Sequence, residues 1–136
     1  MRGLIQECGL GDSVFLKGMV SRRELLDEYQ WSNMVVLPSL EETSPLSLIQ
    51  ALASGRCVLG ADSAGIPHLL DRGRYGTLFS GEAPEHLLER LRGFVGEPAP
   101  FWQRAGAGLA FARAHFRPSA VAEKTVGVYR QIIEAR

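Results

Sequence analysis

The sequence lacks the features that would mark a membrane, disulfide, metal or nucleic-acid protein. No apolar run approaches the ~20 residues needed to span a bilayer, and no leader peptide is visible at the N-terminus, so the chain reads as cytoplasmic. Cysteine is scarce: Cys8 and Cys57 are the only two. They fall on a helix-like and a strand-like segment without ligand-type spacing, which favours free thiols in a reducing compartment over a disulfide or a metal site. His86, His115 and Asp62 show no metal-ligand arrangement either, so no metal is expected. There is no excess of one charge, since 15 Lys and Arg balance 15 Asp and Glu. A neutral chain has no strong field to draw it to nucleic acid, which disfavours that partner.

What is present is enough apolar residue for a core. The 136 residues are 46% hydrophobic, a length and content that fit one domain. Strand-like and helix-like stretches alternate through the first two thirds. Met34, Val35, Val36 and Leu37 form a continuous apolar run, the mark of a strand covered on both faces of a parallel sheet. Residues 57–60 and 76–79 read as further strands, and Val14, Phe15 and Leu16 as an earlier short one. Between them lie helices. Ser21 and Glu24 form a capping box opening a helix with Leu25, Leu26 and Tyr29 inward. Residues 46–53 are apolar nearly all round, hence a buried helix, and a short helix follows around residues 67–70. Pro84 starts a helix with Leu87, Leu88, Leu91, Phe94 and Val95 on its core face. Two closing helices, residues 101–116 and 119–135, are split by Arg117 and Pro118. Trp31, Phe101, Trp102 and Tyr129 are most simply packing residues. The pattern predicts an α/β fold with a parallel sheet of about four strands and flanking helices. Residues 1–97 would form the sheet-bearing part and residues 98–136 the closing helices of the same domain.

The chemistry concentrates between Leu37 and Gly60. A strand stops at Pro38, an acidic loop carries Glu41 and Glu42, and a helix starts where Ser44 suits an N-cap and Pro45 the first helical position. Gly55 then stops that helix. A helix N-terminus beyond the carboxyl end of a parallel strand presents unpaired N–H groups and the positive end of the macrodipole. Such a place suits a diphosphate. The neighbouring carboxylates would repel a bare phosphate but accept hydrogen bonds from hydroxyls, so a ligand carrying both, such as a nucleotide sugar, fits the mixture better than a simple anion. Gly65, between Ala64 and Ile66, points to a positive φ or a close backbone approach to a ligand.

Pro38, Ser39, Glu42, the Ala51-Leu52-Ala53 run, Gly55 and the Gly65-Ile66-Pro67 run together resemble the donor-binding half of a GT-B glycosyltransferase of the family-4 type, the glycosyl transferases group 1. The resemblance runs from about Val14 to the C-terminal helices. It implies a Rossmann-like C-terminal donor domain of a retaining transferase that uses a UDP- or GDP-activated sugar and no cofactor. It also implies an acceptor site supplied by an N-terminal domain or by a partner subunit. Peripheral membrane association would come through that partner.

By the same resemblance Glu42 is the catalytic-site carboxylate, contacting donor-sugar hydroxyls near the reacting carbon and steadying positive charge there. Glu41 is read as solvated surface. Thr43, Ser44, Pro45 and Leu46 would lie along the donor phosphates, although the capping role alone would explain Thr43 and Ser44. The family's second Glu, eight positions after the first, is Gln50 here. An amide oxygen accepts while its NH₂ only donates, so Gln50 is either an altered ribose contact or a buried polar residue of the helix. His68 likewise replaces a Glu that usually follows the Gly-x-Pro motif and is read as a helix-surface histidine.

The family's phosphate-gripping Arg and Lys belong to a preceding strand and turn that this stretch does not contain, so the isolated chain is not expected to turn over. In the doubly wound order 3-2-1-4-5-6 the two strands without a counterpart would lie between the Val14 strand and the Met34 strand. The expectation is that the Val14 strand pairs directly with the Met34 strand or that another chain fills the gap. Two further readings stand beside the donor-binding part of a transferase: a subunit of a split enzyme, and a non-catalytic nucleotide-sugar-binding remnant.

Overall fold

The computed structural model of the chain describes residues 1–135. Arg136, the last residue of the expected 98–136 unit, lies outside the described residues. Seven α-helices and three strands are described, in the order α1 (Arg2–Glu7), α2 (Arg22–Trp31), β1 (Met34–Leu37), α3 (Leu46–Ala53), β2 (Cys57–Ala61), α4 (Ile66–Leu69), a 3₁₀ turn (Asp71–Gly73), β3 (Thr77–Phe79), α5 (Pro84–Gly96), α6 (Ala99–His115) and α7 (Pro118–Glu134).

The three strands form one parallel sheet in the order β1-β2-β3. Met34 to Leu37 pair residue by residue with Cys57 to Gly60, and Leu59 to Ala61 with Thr77 to Phe79. β2 is buried along its whole length, as a central parallel strand covered on both faces must be. α3, α4 and α6 all pack against it. Leu48, Leu52, Leu59, Ile66 and Leu70 are fully enclosed there, with Val58 almost so. Each such side chain removed from water contributes roughly 1.5–3 kcal/mol. Tyr75 stacks on Phe111 with ring centroids 4.4 Å apart, and Phe111 meets Phe116 edge to face, fastening the end of α6 to the approach to β3.

Several expectations hold in detail. Ser21 and Glu24 make the full capping box at the start of α2. Pro84 stands at the first position of α5, as expected; Pro118, read as part of the break, is instead the first residue of α7. Gly55 follows α3 at φ +68°, a left-handed residue that ends the helix where a side chain would be strained. Both thiols are free, Cys8 exposed and Cys57 buried.

The fourth strand does not form. Val14, Phe15 and Leu16 are exposed and irregular, and the Val14 N–H closes a turn onto the Leu10 carbonyl instead of joining a ladder. The segment neither pairs with β1 nor stands as an isolated strand, because three residues without a neighbouring ladder cannot satisfy their backbone groups as a strand. It is held sideways, by an ion pair from Lys17 to Glu28 of α2. Several expected core residues are also uncovered: Trp31 is 84% exposed and Tyr129 62%, while Leu26, Leu88, Val95 and Trp102 are exposed to lesser or similar degrees. Their helical faces were read correctly as apolar, but within the described residues they are covered only in part; Trp102, for one, meets Phe94 with ring centroids 6.3 Å apart.

Candidate functional site

The carboxyl ends of the strands gather three loops. The loop after β1 carries Glu41 to Ser44, the loop after β2 carries Asp62 to Gly65, and Ser80 and Gly81 follow β3. Backbone bonds stitch them together. Gly65 N–H donates to the Glu42 carbonyl at 2.7 Å, Asp62 N–H to the Phe79 carbonyl at 2.7 Å, and the Ser63 hydroxyl to the Leu40 carbonyl at 2.6 Å. The side chain of Leu40 lies so close to Gly81 that a Cβ there would come within 2.5 Å of it.

Gly65 is the tightest point. Its φ is −82°, so the expected positive φ is absent; Ala64 takes that conformation instead, at 49°. The other expectation, a close backbone approach, is met by the chain itself. A Cβ on Gly65 would overlap the Thr43 carbonyl and lie 2.8 Å from the Glu42 oxygen. The glycine is therefore explained by the crossing of the two loops, which fixes the backbone that carries Glu42 and Thr43.

The start of α3 differs from expectation by one residue. Pro45, with ψ 112°, is the N-cap, and its carbonyl accepts from Leu48 N–H at 3.1 Å and Ile49 N–H at 3.2 Å. Ser44 makes no capping bond. The extended ψ of Pro45 delays the first helical turn, so Leu46 and Ser47 become the first helical residues. Their N–H groups have no intrahelical acceptor. They follow the loop that leaves the carboxyl end of β1 and carries Glu42, at the positive end of the helix dipole. Pro45 is buried, Glu42 half-buried, and Thr43, Ser44 and Leu46 are exposed.

Gln50 lies half-buried one turn further along α3. Its Oε1 accepts from the Tyr29 hydroxyl at 3.3 Å, and the same hydroxyl lies 3.1 Å from the Ser47 carbonyl. Tyr29 is 7% exposed, and burial pushes its phenol up. The residue was legible as inward-facing; its link to Gln50 was not, although a buried phenol needs a polar partner. Gln50 therefore has a structural bond that ties α2 to α3. His68 is exposed in the last turn of α4 and lines an open polar cleft with Asp62, Ser63, Asp71 and Arg72.

A parallel sheet with helices on both faces, its strand ends joined by loops to the helices that follow, defines a Rossmann-like domain of the α/β class. The chain belongs to the glycosyl transferases group 1 family, whose sequence profile matches residues 1–104. It is 30% identical over 131 residues to D-inositol 3-phosphate glycosyltransferase 1 of Catenulispora acidiphila, covering 96% of this chain and 31% of that protein. With the D-inositol 3-phosphate glycosyltransferase of Streptomyces avermitilis it shares 30% identity over 135 residues, 99% of this chain and 29% of the relative. The chain thus spans about three tenths of the length of these relatives. Among solved structures, sucrose-phosphate synthase from Thermosynechococcus elongatus superposes with a TM-score of 0.86 at 27% identity, over 99% of this chain and 34% of that one. Anabaena Alr3699/HepE, solved with UDP and glucose, shares the fold at a TM-score of 0.83 and 16% identity, over 96% of this chain and 35% of its own.

Proposed function

We propose that this chain is the donor-binding part of a retaining glycosyltransferase that moves a sugar from a nucleotide sugar to a glycan, lipid or small-molecule acceptor. The observation that carries the reading is the Gly65 to Glu42 backbone bond, which ties the loop carrying Glu42, just ahead of the open N-terminus of α3, to the loop after β2 at the carboxyl end of the sheet. In this role the Glu42 carboxylate accepts bonds from donor-sugar hydroxyls and stabilises positive charge developing at the reacting carbon. Thr43, Ser44, Pro45 and Leu46 border the diphosphate, with the Leu46 and Ser47 N–H groups and the helix dipole favouring the negative charge of the leaving group. Gln50 meets the nucleotide through its amide, its oxygen being shared with Tyr29. Gly65 contributes by fixing the loop. The family relationship supports sugar transfer, and the UDP and glucose held by the Anabaena protein are consistent with a nucleotide-sugar donor.

The exposed apolar surfaces described above favour one further reading, that the acceptor side is supplied by a separate subunit. The test of the main reading is a ¹H–¹⁵N correlation spectrum of the chain titrated with UDP, GDP and ADP and then with their sugar conjugates. Shifts confined to residues 42–50 and Gly65 are expected. A dispersed spectrum that no nucleotide or conjugate perturbs overturns the reading for this chain.

A further inference from the structure

We propose that Tyr29 fixes the side-chain amide of Gln50 with its NH₂ edge outward, so that the nucleotide subsite selects a ribose by its oxygen lone pairs and not by its O–H groups. The proposal rests on the donor-binding reading above and deepens it. It assigns the polarity of one contact, and it makes Tyr29 a positioning residue that touches no ligand itself.

The phenol is held first. Tyr29 is 7% exposed on α2, and its hydroxyl lies 3.1 Å from the Ser47 carbonyl and 3.3 Å from Gln50 Oε1. Both neighbours accept, so one phenolic proton is shared between two acceptors of α3. Burial pushes the phenol up, which keeps that proton on its oxygen through the neutral range. Oxygen inward is also the cheaper way to half-bury the amide. One donor satisfies the oxygen, whereas an inward NH₂ carries two N–H groups, of which the phenol oxygen would meet one and leave the other without a partner.

The nitrogen is then the open end. Gln50 Nε2 makes no hydrogen bond among the described residues, and the buried side-chain atoms without a partner there are Arg56 Nε and Thr77 Oγ1. The Gln50 NH₂ therefore reaches solvent. Leu46, four residues earlier on the same face of α3, is 64% exposed. About 6 Å of helix axis separate the two positions, a span that suits a diphosphate at the helix start with its ribose one turn further along. A carboxylate at this place would require the ligand to donate; an outward NH₂ requires only that it accept. A hydroxyl and an ether oxygen both meet that demand.

The experiment measures binding to the chain of UDP, GDP and ADP, of their ribose mono-O-methyl ethers, which keep the lone pairs and lose one O–H, and of their dideoxyribose forms, which lose both oxygens. The ethers should bind within about threefold of the parent nucleotide and the dideoxy forms about tenfold more weakly. Gln50→Glu, which puts acceptors on the open edge, should drop the ethers about tenfold below the parent. A second arm needs no ligand. Exchange of the Gln50 NH₂ protons with water, read by NMR, should run at the rate of an open glutamine. Tyr29→Phe should shift the Gln50 carboxamide carbon, whose oxygen loses its donor, without changing that rate. Slowed NH₂ exchange that Tyr29→Phe releases would put the nitrogen against the phenol and overturns the proposal. Binding of no nucleotide overturns the donor reading and this proposal with it, whereas binding of a parent nucleotide with its ethers rejected as strongly as by Gln50→Glu overturns this proposal alone.

Discussion

The middle of the chain and its two flanks are built from similar residues and meet opposite fates. Between α3 and β3, Leu48, Ala51, Leu52, Leu59, Ala61, Ile66 and Leu70 have no exposure at all. In the first 31 residues Met1, Leu4, Leu10, Phe15, Met19 and Trp31 are exposed, and α7 carries Val128, Tyr129, Ile132 and Ile133 uncovered and buries no residue. The difference lies in connectivity. The middle alternates strand and helix, so each apolar face meets the next within a few residues of chain. The flanks carry amphipathic helices that are covered only in part among the described residues: α2 sets Tyr29 and Leu25 against the core, while α1 and α7 bury no residue. Burial here separates the side chains that hold the domain together from those that add little to its folding.

The sharpest way to break this comparison is to truncate one side chain in each region. Leu52→Ala removes a fully enclosed side chain packed between α3, β2 and α6 and should cost about 2–5 kcal/mol, the range for buried leucines. Phe15→Ala and Ile133→Ala remove side chains that are 71% and 72% exposed and should fall within about 0.5 kcal/mol of the parent. Urea unfolding midpoints measure all three. If Ile133→Ala proved as costly as Leu52→Ala, α7 would be packed in solution and the division between middle and flanks would collapse.

Gly65→Ala tests the middle at the site itself. The added methyl would overlap the Thr43 carbonyl, and backbone on both sides must move to admit it. Overpacking of this kind costs about 1–3 kcal/mol, and the Gly65 to Glu42 bond would lengthen. A variant with unchanged stability and an unchanged Gly65 amide shift would show that the two loops do not cross in solution as described.

These particulars also show how far the sequence reaches. The parallel sheet, the capping box at Ser21 and the helix stop at Gly55 rest on local rules of periodicity and backbone preference, and each is where those rules put it. The Val14 strand failed because a three-residue apolar run becomes a strand only beside a ladder, a tertiary condition that local pattern cannot report. Ser44 and Pro45 were displaced by one position because only the ψ of Pro45 decides where the helix begins. The candidate site was legible as a neighbourhood: Glu42, the α3 N-terminus and Gly65 do come together. Its internal bonds, Gly65 to Glu42 and Tyr29 to Gln50, join residues more than 20 positions apart and leave no periodic trace.

The Tyr29 bond marks the seam between the two regions, since α2 belongs to the exposed flank and α3 to the core. Tyr29→Phe keeps the ring and deletes the hydroxyl that serves Gln50 and Ser47. The expected loss is about 0.5–1.5 kcal/mol, the net worth of a typical hydrogen bond. The Gln50 side-chain NH₂ resonances should shift while those of Leu59 stay in place. An unmoved Gln50 signal would mean that the seam is held by packing alone.

The two cysteines give the gentlest comparison, one thiol on each side of the divide. Cys8 is exposed in the flank, and Cys57 is 1% exposed at the start of β2. Burial pushes the Cys57 thiol up to about 11 from an ordinary value of 9.0, with Arg56 beside it pulling slightly the other way. A thiol reagent at pH 8 should label Cys8 quickly and reach Cys57 only on unfolding, because the reactive thiolate is suppressed and its route is closed. The sign of the stability effect follows from the raised value. The folded chain keeps a proton that the unfolded chain releases, so the contribution is complete below pH 9 and is lost as pH rises through 11. Tyr29, raised in the same direction by burial, adds to the decline at the upper end. Urea midpoints measured from pH 7 to pH 10 should therefore be level at first and then fall, and Cys57→Ala should fall less steeply above pH 9. Equal labelling of both thiols at pH 8 would show that β2 opens to solvent and that the core is not the closed unit its burial describes.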